Sequence, residues 1–518
     1  MEVRNRTDAV IQEKRIMNPS AISYHKTTCY DRNRMRGDPL DWPNQPRVFK
    51  AYDSIEAIPL PEVDKLPEID LWHLYFSKTT KRLESGLDLK RLSQILSISY
   101  GLTSTRSYSE QTVLYRSVAS AGALYPAEIY FFAFSIDNFQ PGLYHYGIKD
   151  RSLTPLRGGD DSALMSTMTD SFETQSLSAV FIISGIFFRS SWKYRDRAYR
   201  YILLDAGHLI ENLALALKAT GLPYAIDYDF DDGHIGHLIG FDDQKEVSLA
   251  SVHVGGRSSI TQKELTKSSS LSPAIIEASS VSPVETVYED IIDIHRSGIN
   301  ITKQSVKDPD ISSKLGLNPL EWIPISQNKV PDKKLTYSEA VLRRRSRRNF
   351  INQKLKKTTF IQLIDIVFAA RAENFSVAKG YAGALSIGFL AGNIEELPPG
   401  FYLADTVNKT AGYVDFEPTT NKMAAICLNQ QWLCSASVHF LFMSNLNTID
   451  RFWGPRGYRY AMMTAGRLGH ALYLGATALG LGCCGIGAFY DDEGKNILGL
   501  NQESYLLYLV AVGEVKGM

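Results

Sequence analysis

Hydrophobic residues in this chain form two kinds of run: short β-rich runs and longer runs interrupted by small residues. The longer runs, Arg200 to Leu222 and Arg459 to Leu481, are rich in Gly, Ala and Leu and carry few charges. Such a pattern predicts helices that are buried nearly all round and packed as a central pair. The short runs predict buried strands at 128–134, 179–188, 247–254, 437–443 and 505–512.

The two predicted helices belong to an internal repeat. Residues 192–207 and 451–466 share the frame R-x-Y-R-Y-x(4)-A-G at an offset of 259 residues. Upstream, SAGAL (120–124) resembles YAGAL (381–385), and the matching elements keep their order along both copies. Because the period is far too long for a solenoid, the sequence predicts a duplicated domain.

Strand and helix signals are mixed in both copies, which predicts two domains that each contain helices and strands. Ser, Asp and Pro clusters between the copies have the composition of a linker. Within them, the sequence ETVYEDIIDIHRSG predicts a helix that ends at Gly298. The prolines of the N-terminal segment favour an extended strap. We therefore predict an N-terminal extension (1–70), a first domain (71–256), a linker (257–334) and a second domain (335–518).

Charge and composition exclude several functions. The chain has 56 Lys and Arg against 56 Asp and Glu, so neither a nucleic acid nor a membrane is expected as a partner. No apolar run is long enough for a membrane helix, and the N-terminus has no apolar signal core. The five cysteines are few, odd in number and without zinc spacing, which predicts neither a disulfide framework nor a metal site and favours the cytoplasm.

The second copy opens with a cluster of arginines. Thr336 and Glu339 form a capping box that starts a short helix. On the extended chain after that helix, alternate residues share one face, so Arg344, Ser346 and Arg348 are predicted to converge. Two guanidiniums and a hydroxyl suit a phosphate, although a solvated basic run or a nucleic-acid patch is the alternative. The matching first-copy segment, FSKTTKRLE (76–84), lacks the arginine cluster.

Each copy also keeps features that the other has lost. After its central helix, the second copy has a glycine-rich segment where backbone can approach a ligand closely, whereas the first copy has no glycine between Gly221 and Gly233. The first copy has Lys193 and Tyr194 before its central helix, where the second copy has Phe452 and Trp453. Phe and Trp cannot move a proton as Lys and Tyr can, although an isolated Lys-Tyr pair could equally be ordinary surface.

These motifs carry a family likeness. The chain resembles the FMN-dependent nitroreductase superfamily and, within it, the SagB/ThcOx-type dehydrogenases that oxidise azolines in peptide natural products. The matching motifs are the R-R-S-x-R opening, the SAGALYPAE loop, the K-Y…R-A-Y-R-Y…AGH helix entry and the G-L-G…GAF segment. They lie within about residues 70–255 and 335–515, and their combined order is more specific than any one of them.

The resemblance implies an α+β fold in which the two fused domains form an intramolecular pseudo-dimer, with FMN bound at their interface. It implies phosphate binding by Arg344, Ser346 and Arg348. It places Gly485 and Gly487 beside flavin N5, and Ser120, Ala121, Gly122 and Ala123 against the flavin ring. It implies that Lys193 and Tyr194 are the catalytic pair. All of these parts survive in one combination of the copies only, which predicts one working FMN site.

The expected reaction is dehydrogenation of a peptide-derived or small heterocyclic substrate, with dioxygen as the electron acceptor. Lys193 is the candidate base and must be neutral to act, and Arg195, Arg197 and Arg200 are close enough in sequence to favour that form. One alternative is NAD(P)H-dependent reduction by a nitroreductase or ene-reductase. A second is a non-catalytic flavin-binding scaffold for a cyclodehydratase partner.

Overall fold

The structure is a computed structural model. It describes residues 19–35, 37, 39–52, 55–77, 86–108, 111–158, 177–255, 271–299, 309–327, 330–331, 335–372 and 377–517. Most of the segment 76–84, from which the sequence infers a lost phosphate clasp, lies outside these residues. No helix in the described part of the chain is long and apolar enough to cross a membrane.

The first half of the chain contains helices, the strands of one seven-stranded sheet and a separate pair of antiparallel strands. Its elements are α1 (Ala21–Thr27), β1 (Ile58–Pro59), α2 (Leu71–Phe76), α3 (Leu89–Tyr100), β2 (Leu102–Tyr108), β3 (Gln111–Arg116), β4 (Ala127–Ala133), β5 (Gly142–Gly147), β6 (Ser152–Gly158), β7 (Leu177–Ile186), α4 (Phe187–Tyr194), α5 (Ala198–Ala219), β8 (Tyr224–Asp227), α6 (Asp232–Ile239) and β9 (Glu246–Gly255). The segment between the copies adds α7 (Pro273–Glu277), α8 (Glu289–Ser297) and β10 (Glu321–Pro324).

The second half repeats this arrangement. Its elements are α9 (Tyr337–Arg343), α10 (Lys357–Ala372), β11 (Ser386–Ala391), β12 (Gly400–Asp405), β13 (Thr410–Asp415), α11 (Thr420–Ile426), β14 (Val438–Asn445), α12 (Leu446–Trp453), α13 (Gly457–Ala478), β15 (Gly482–Ile486), α14 (Asp491–Ile497) and β16 (Ser504–Gly513). The predicted strands are all present, with their ends shifted by a few residues. The glycine-rich segment, expected as a loop, is largely strand β15.

Two seven-stranded antiparallel sheets have the same strand order, β1-β6-β5-β4-β7-β9-β8 and β10-β13-β12-β11-β14-β16-β15. In each sheet one of the inner strands, β7 in the first and β14 in the second, is buried along its whole length. This explains why these segments read as continuous apolar runs and not as alternating ones. The α+β fold with two fused domains is confirmed.

The two central helices, α5 and α13, pack against each other at a pair of glycines. A Cβ atom on Gly207 would lie 2.2 Å from the Met463 carbonyl oxygen, and one on Gly466 would lie 2.2 Å from the Leu204 carbonyl oxygen. Only glycine allows the two backbones to approach this closely. The glycines at the end of the repeated sequence frame therefore form the contact between the two central helices.

Reciprocal ion pairs also join the halves. Arg197 and Arg200 at the start of α5 each bond Asp491 of the second half, at 2.7 Å. Arg456 and Arg459 at the start of α13 bond Asp232 of the first half. All these side chains are buried, so each carboxylate is held by two guanidiniums.

The N-terminal extension and the linker have equivalent roles. Helix α1 places His25 Nδ1 3.0 Å from the Tyr458 hydroxyl, and helix α8 places His295 Nδ1 3.1 Å from the Tyr199 hydroxyl. Each segment also adds the edge strand of a sheet, β1 or β10. The predicted extended strap is therefore partly helical, and the boundaries at 70, 256 and 334 stay predictions.

Candidate functional site

A cavity of about 210 Å³ lies where the two halves meet, beside α5 and α13. We call it the interdomain cavity. The first half contributes Ala119, Ser120, Ala121, Gly122, Tyr194, Tyr201, Leu204, Asp205 and His208. The second half contributes Ser346, Arg348, Gln430, Tyr473, Cys484, Gly485, Ile486, Gly487, Ala488 and Tyr508. Eight of the eleven predicted site residues therefore line this one cavity.

The segment carrying Ser346 is fixed to strand β15. The Arg347 N–H donates to the Cys483 carbonyl oxygen at 2.9 Å, next to a bridge between Ser346 and Cys483. The Ser346 Oγ lies 2.9 Å from the Tyr473 hydroxyl, which also accepts a hydrogen bond from the Gly485 N–H at 2.8 Å. This network holds the Ser346 hydroxyl and the glycine backbone at one end of the cavity.

Arg344 does not line the interdomain cavity, so the structure does not bring the three predicted phosphate ligands together there. Its buried guanidinium donates from Nε to the Ser117 carbonyl oxygen at 2.8 Å and from a terminal nitrogen to that of Arg116 at 3.1 Å. Arg344 caps helix α9, where the chain is still turning out of the helix, so the alternation of an extended chain does not apply to it. Ser346 and Arg348 do line the cavity.

The small-residue segment Ser120–Ala123, which we call the ring loop, forms the opposite wall. It adopts left-handed backbone at Gly122 (φ 65°) and Ala123 (φ 55°). Asp205 on α5 anchors it, accepting hydrogen bonds from the Ser120 hydroxyl at 2.5 Å and the Ala121 N–H at 3.2 Å. Of this loop, Ala123 is not among the residues that line the cavity.

Lys193 and Tyr194 end helix α4 beside the ring loop. A Cβ atom on Gly122 would lie 2.8 Å from the Tyr194 hydroxyl and 3.3 Å from Lys193 Nζ, so both polar groups lie directly over this glycine. Tyr194 lines the cavity and packs on Tyr201, with ring centroids 4.5 Å apart, whereas Lys193 is exposed at its rim. Burial raises the pKa of Tyr194, which therefore stays protonated.

Gly485 and Gly487 line the cavity where side chains would not fit. A Cβ atom on Gly485 would lie 1.8 Å from the Tyr508 hydroxyl, and one on Gly487 would lie 2.6 Å from Tyr201 Cε1. The glycines thus present bare backbone to the cavity, as the sequence predicts. Arg197 and Arg200, which the sequence predicts to act on Lys193, are instead paired with Asp491.

Asp205 and His208 are titratable residues that line the cavity but are not among the predicted site residues. Burial raises the pKa of Asp205 to about 7, because its hydrogen bonds from Ser120 and Ala121 only partly offset the loss of water. Burial, reinforced by Arg344, lowers the pKa of His208 to about 3, so this imidazole is neutral. A comparison of the repeats could have found Asp205, since Thr464 occupies the same place in the second copy.

The equivalent position on the other side of the pseudo-dimer is filled. Tyr381 stands where the first copy has Ser120, and its ring lies 4.1 Å from that of Tyr460 and 5.5 Å from that of Tyr228. Asp229 accepts hydrogen bonds from the Tyr381 and Tyr460 hydroxyls. Three aromatic rings and a carboxylate thus occupy the space that corresponds to the interdomain cavity.

Comparison with known proteins identifies the class. Residues 389–514 match the nitroreductase family model, so the chain contains a nitroreductase family domain. The whole chain also superimposes on a crystal structure described as a "putative nitroreductase" from Anabaena variabilis, with a TM-score of 0.77 and 25% identity over 96% of this chain and 100% of that one. The resemblance drawn from the motifs is therefore confirmed.

Three individual proteins are also similar to this chain. The chain is 28% identical over 191 residues to "Putative nitroreductase MJ1384" of Methanocaldococcus jannaschii, covering 36% of this chain and 94% of that protein. It is 25% identical over 220 residues to the microcin B17-processing protein McbC of Escherichia coli, covering 39% of this chain and 81% of McbC. It is also 26% identical to the trifolitoxin-processing protein TfxB of Rhizobium leguminosarum over 39% of this chain and 57% of TfxB. These matches indicate flavin-dependent oxidoreductase activity.

Proposed function

We propose that this chain is an FMN-dependent dehydrogenase of the azoline-oxidase type, acting on a heterocycle in a peptide. The observation that carries the proposal is the interdomain cavity, which gathers the Ser346 and Arg348 segment, the glycine backbone of β15, the ring loop and Tyr194 from two halves of one chain. The likeness to McbC and TfxB, which are named for the processing of microcin B17 and of trifolitoxin, supports a peptide substrate.

The residues of the cavity fit FMN. Arg348 and Ser346 offer a guanidinium and a hydroxyl, the donor set that suits a phosphate. Gly485 and Gly487 leave backbone bare where a flat ring could approach. His208 Nδ1 is buried and has no hydrogen-bond partner among the described residues, as expected of a polar atom that awaits a ligand.

In the proposed reaction the protein binds, orients and moves one proton. When bound, FMN would supply a two-electron acceptor that takes a hydride from a substrate carbon and passes the electrons to dioxygen. Lys193 at the rim would take the substrate C–H proton on Nζ, and Tyr194 beside it would donate a hydrogen bond to the substrate. Arg344 would act indirectly, by holding the backbone that leads into the ring loop.

The experiment is oxidation of a thiazoline-containing peptide by the purified, FMN-loaded chain, followed by azole absorbance and by the loss of two hydrogens in mass. Lys193→Ala should keep its yellow colour and lose activity, because it loses the base but no cofactor contact. The exposed turn lysine gives the control, Lys149→Ala, which should turn over normally. Normal turnover by Lys193→Ala would remove Lys193 from the mechanism.

A reductase is the second candidate, favoured by the similarity to MJ1384 and the Anabaena variabilis protein. Anaerobic mixing separates the two functions. An azoline peptide should bleach the flavin of a dehydrogenase, whereas NADPH should bleach that of a reductase. Bleaching by NADPH alone would overturn the proposed dehydrogenase.

Azolines are formed from Cys, Ser or Thr in a peptide by cyclodehydration, so we propose a cyclodehydratase as the partner that supplies the substrate. Direct transfer predicts that the two proteins co-elute in size-exclusion chromatography when mixed with precursor peptide. Separate elution, together with normal oxidation of free azoline peptide, would contradict a stable complex.

A further inference from the structure

Asp205, Asp232 and Asp491 are buried in this protein, and Asp205 has different hydrogen-bond partners from the other two. Asp491 is paired with Arg197 and Arg200, and Asp232 is paired in the same way with two arginines of the second half. Asp205 has only uncharged donors, the Ser120 hydroxyl and the Ala121 N–H. A buried carboxyl without a cation is costly when it is ionised.

Structure alone does not require an acid at this place. The equivalent residue of the second half is Thr464, on a helix with the same length and packing. There the mirror cavity is filled by Tyr381. The acid therefore occurs on the side where the cavity is open and a Ser stands in the ring loop.

We propose that Asp205 is a positioning residue of the flavin site, which sets through Ser120 whether the ring-loop wall accepts or donates a hydrogen bond. This inference rests on the proposed function. The Ser120 Oγ already accepts the Tyr125 N–H at 2.9 Å and gives its proton to Asp205 at 2.5 Å. With Asp205 ionised, the hydroxyl thus offers the cavity a lone pair and no proton.

Protonation of Asp205 reverses this arrangement. The carboxyl then donates its own proton to Ser120 Oγ, which frees the Ser120 proton to point into the cavity. The proton comes from solvent and no covalent bond is made or broken in the substrate. A neutral carboxyl and a donor on the wall favour a ligand that gains negative charge, as a flavin does on two-electron reduction.

Among the cavity groups whose pKa is shifted, Asp205 is the one expected to titrate near neutral pH. Facing it are the phenols of Tyr100, Tyr125, Tyr194 and Tyr508, each with a pKa raised chiefly by burial. On its own helix, His208 has a pKa lowered to about 3. Arg348 is the cation that lines the same cavity.

The first test uses the full chain without flavin. Infrared spectra over a pH series should contain a protonated-carboxyl band that disappears near pH 7, shifts with ¹³C-aspartate labelling, and is lost in Asp205→Asn. If this variant does not fold, Ser120→Ala replaces it, because loss of the hydroxyl that bonds Asp205 should shift the pH at which the band disappears; an unchanged pH would overturn the proposal. Asp229→Asn, which changes the carboxyl of the filled mirror site, is the matched control and should keep the band. A band unaffected by Asp205→Asn would overturn the proposal.

The second test uses the FMN-loaded chain. The midpoint potential of wild type should show a larger break in its pH dependence near pH 7 than that of free FMN, and both Asp205→Asn and Ser120→Ala should reduce the break to that of free FMN. A break of wild-type size in Ser120→Ala would overturn the role of Ser120. If the chain binds no FMN, the proposed function fails, whereas the infrared titration still decides the state of Asp205.

Discussion

Closure of the pseudo-dimer on two glycines makes a strong prediction for Gly466→Ala. The new Cβ would lie 2.2 Å from the Leu204 carbonyl oxygen and 3.0 Å from Gly207 Cα. A carbon and a carbonyl oxygen normally stay roughly 3.3 Å apart or more, so the overlap is about 1 Å. Both neighbours are backbone of a rigid buried helix, so no side chain can rotate away.

The overpacking should cost about 3 kcal/mol, the upper end of the usual range, and the better helix propensity of Ala returns about 1 kcal/mol. A net loss of about 2 kcal/mol is roughly a 30-fold rise in the unfolding equilibrium constant. Guanidinium-induced unfolding measures this loss. FMN titration of the folded variant should show weaker binding, because the cavity lies beside the same helix contact.

Gly494→Ala is the matched control. It also lies in a helix, but its new Cβ would meet nothing closer than 3.8 Å. It should therefore be neutral or stabilise the protein by up to about 1 kcal/mol. If Gly466→Ala were as stable as wild type and bound FMN equally well, the reasoning from the helix contact would be refuted.

Further predictions concern charge. Arg348→Ala should weaken FMN binding by about 10- to 100-fold, because a charge-assisted hydrogen bond contributes about 1.5–3 kcal/mol. The control Arg343→Ala changes an exposed arginine and should bind FMN normally. Equal affinities of the two variants in a fluorescence titration would contradict the phosphate site. Burial alone would raise the pKa of Asp491, but its two arginines outweigh burial and hold the pKa well below its ordinary value. Its stabilisation is therefore complete above the ordinary carboxyl pKa and is lost as pH falls into the acid range. Asp491→Asn should cost about 3–5 kcal/mol at pH 7 and flatten this acid dependence in unfolding experiments; an unchanged acid limb would be evidence against it.

The fold could be predicted from the sequence because the two copies repeat what the packing requires. The repeated Arg and Gly positions form the ion pairs to Asp491 and Asp232 and the glycine contact of α5 and α13. The buried strands are unbroken apolar runs in the sequence, so the sequence predicts them as well. The equivalence of the N-terminal extension and the linker was missed, because their shared histidine contacts lie in dissimilar sequence.

The candidate site could be predicted only in part. Residues that are small, such as Gly485 and Ser120, signal a close approach by their type alone. Arg344 could not be placed, because its partners are backbone carbonyls more than two hundred residues away, and a sequence pattern does not show which way a helix-capping side chain turns. Asp205 lies in an otherwise apolar helix, so the helix pattern alone does not indicate a functional residue there. The difference between Asp205 and Thr464 at equivalent positions of the two copies is the signal that could have indicated it.

The central claim is that two halves of one chain build one cofactor cavity and that its mirror is filled. The direct measurement is the number of FMN molecules bound per chain, from absorbance of the flavin released after reconstitution with excess FMN. The account predicts one. Two FMN per chain would show that the Tyr381 cluster does not close the mirror site, and none would contradict the cavity itself.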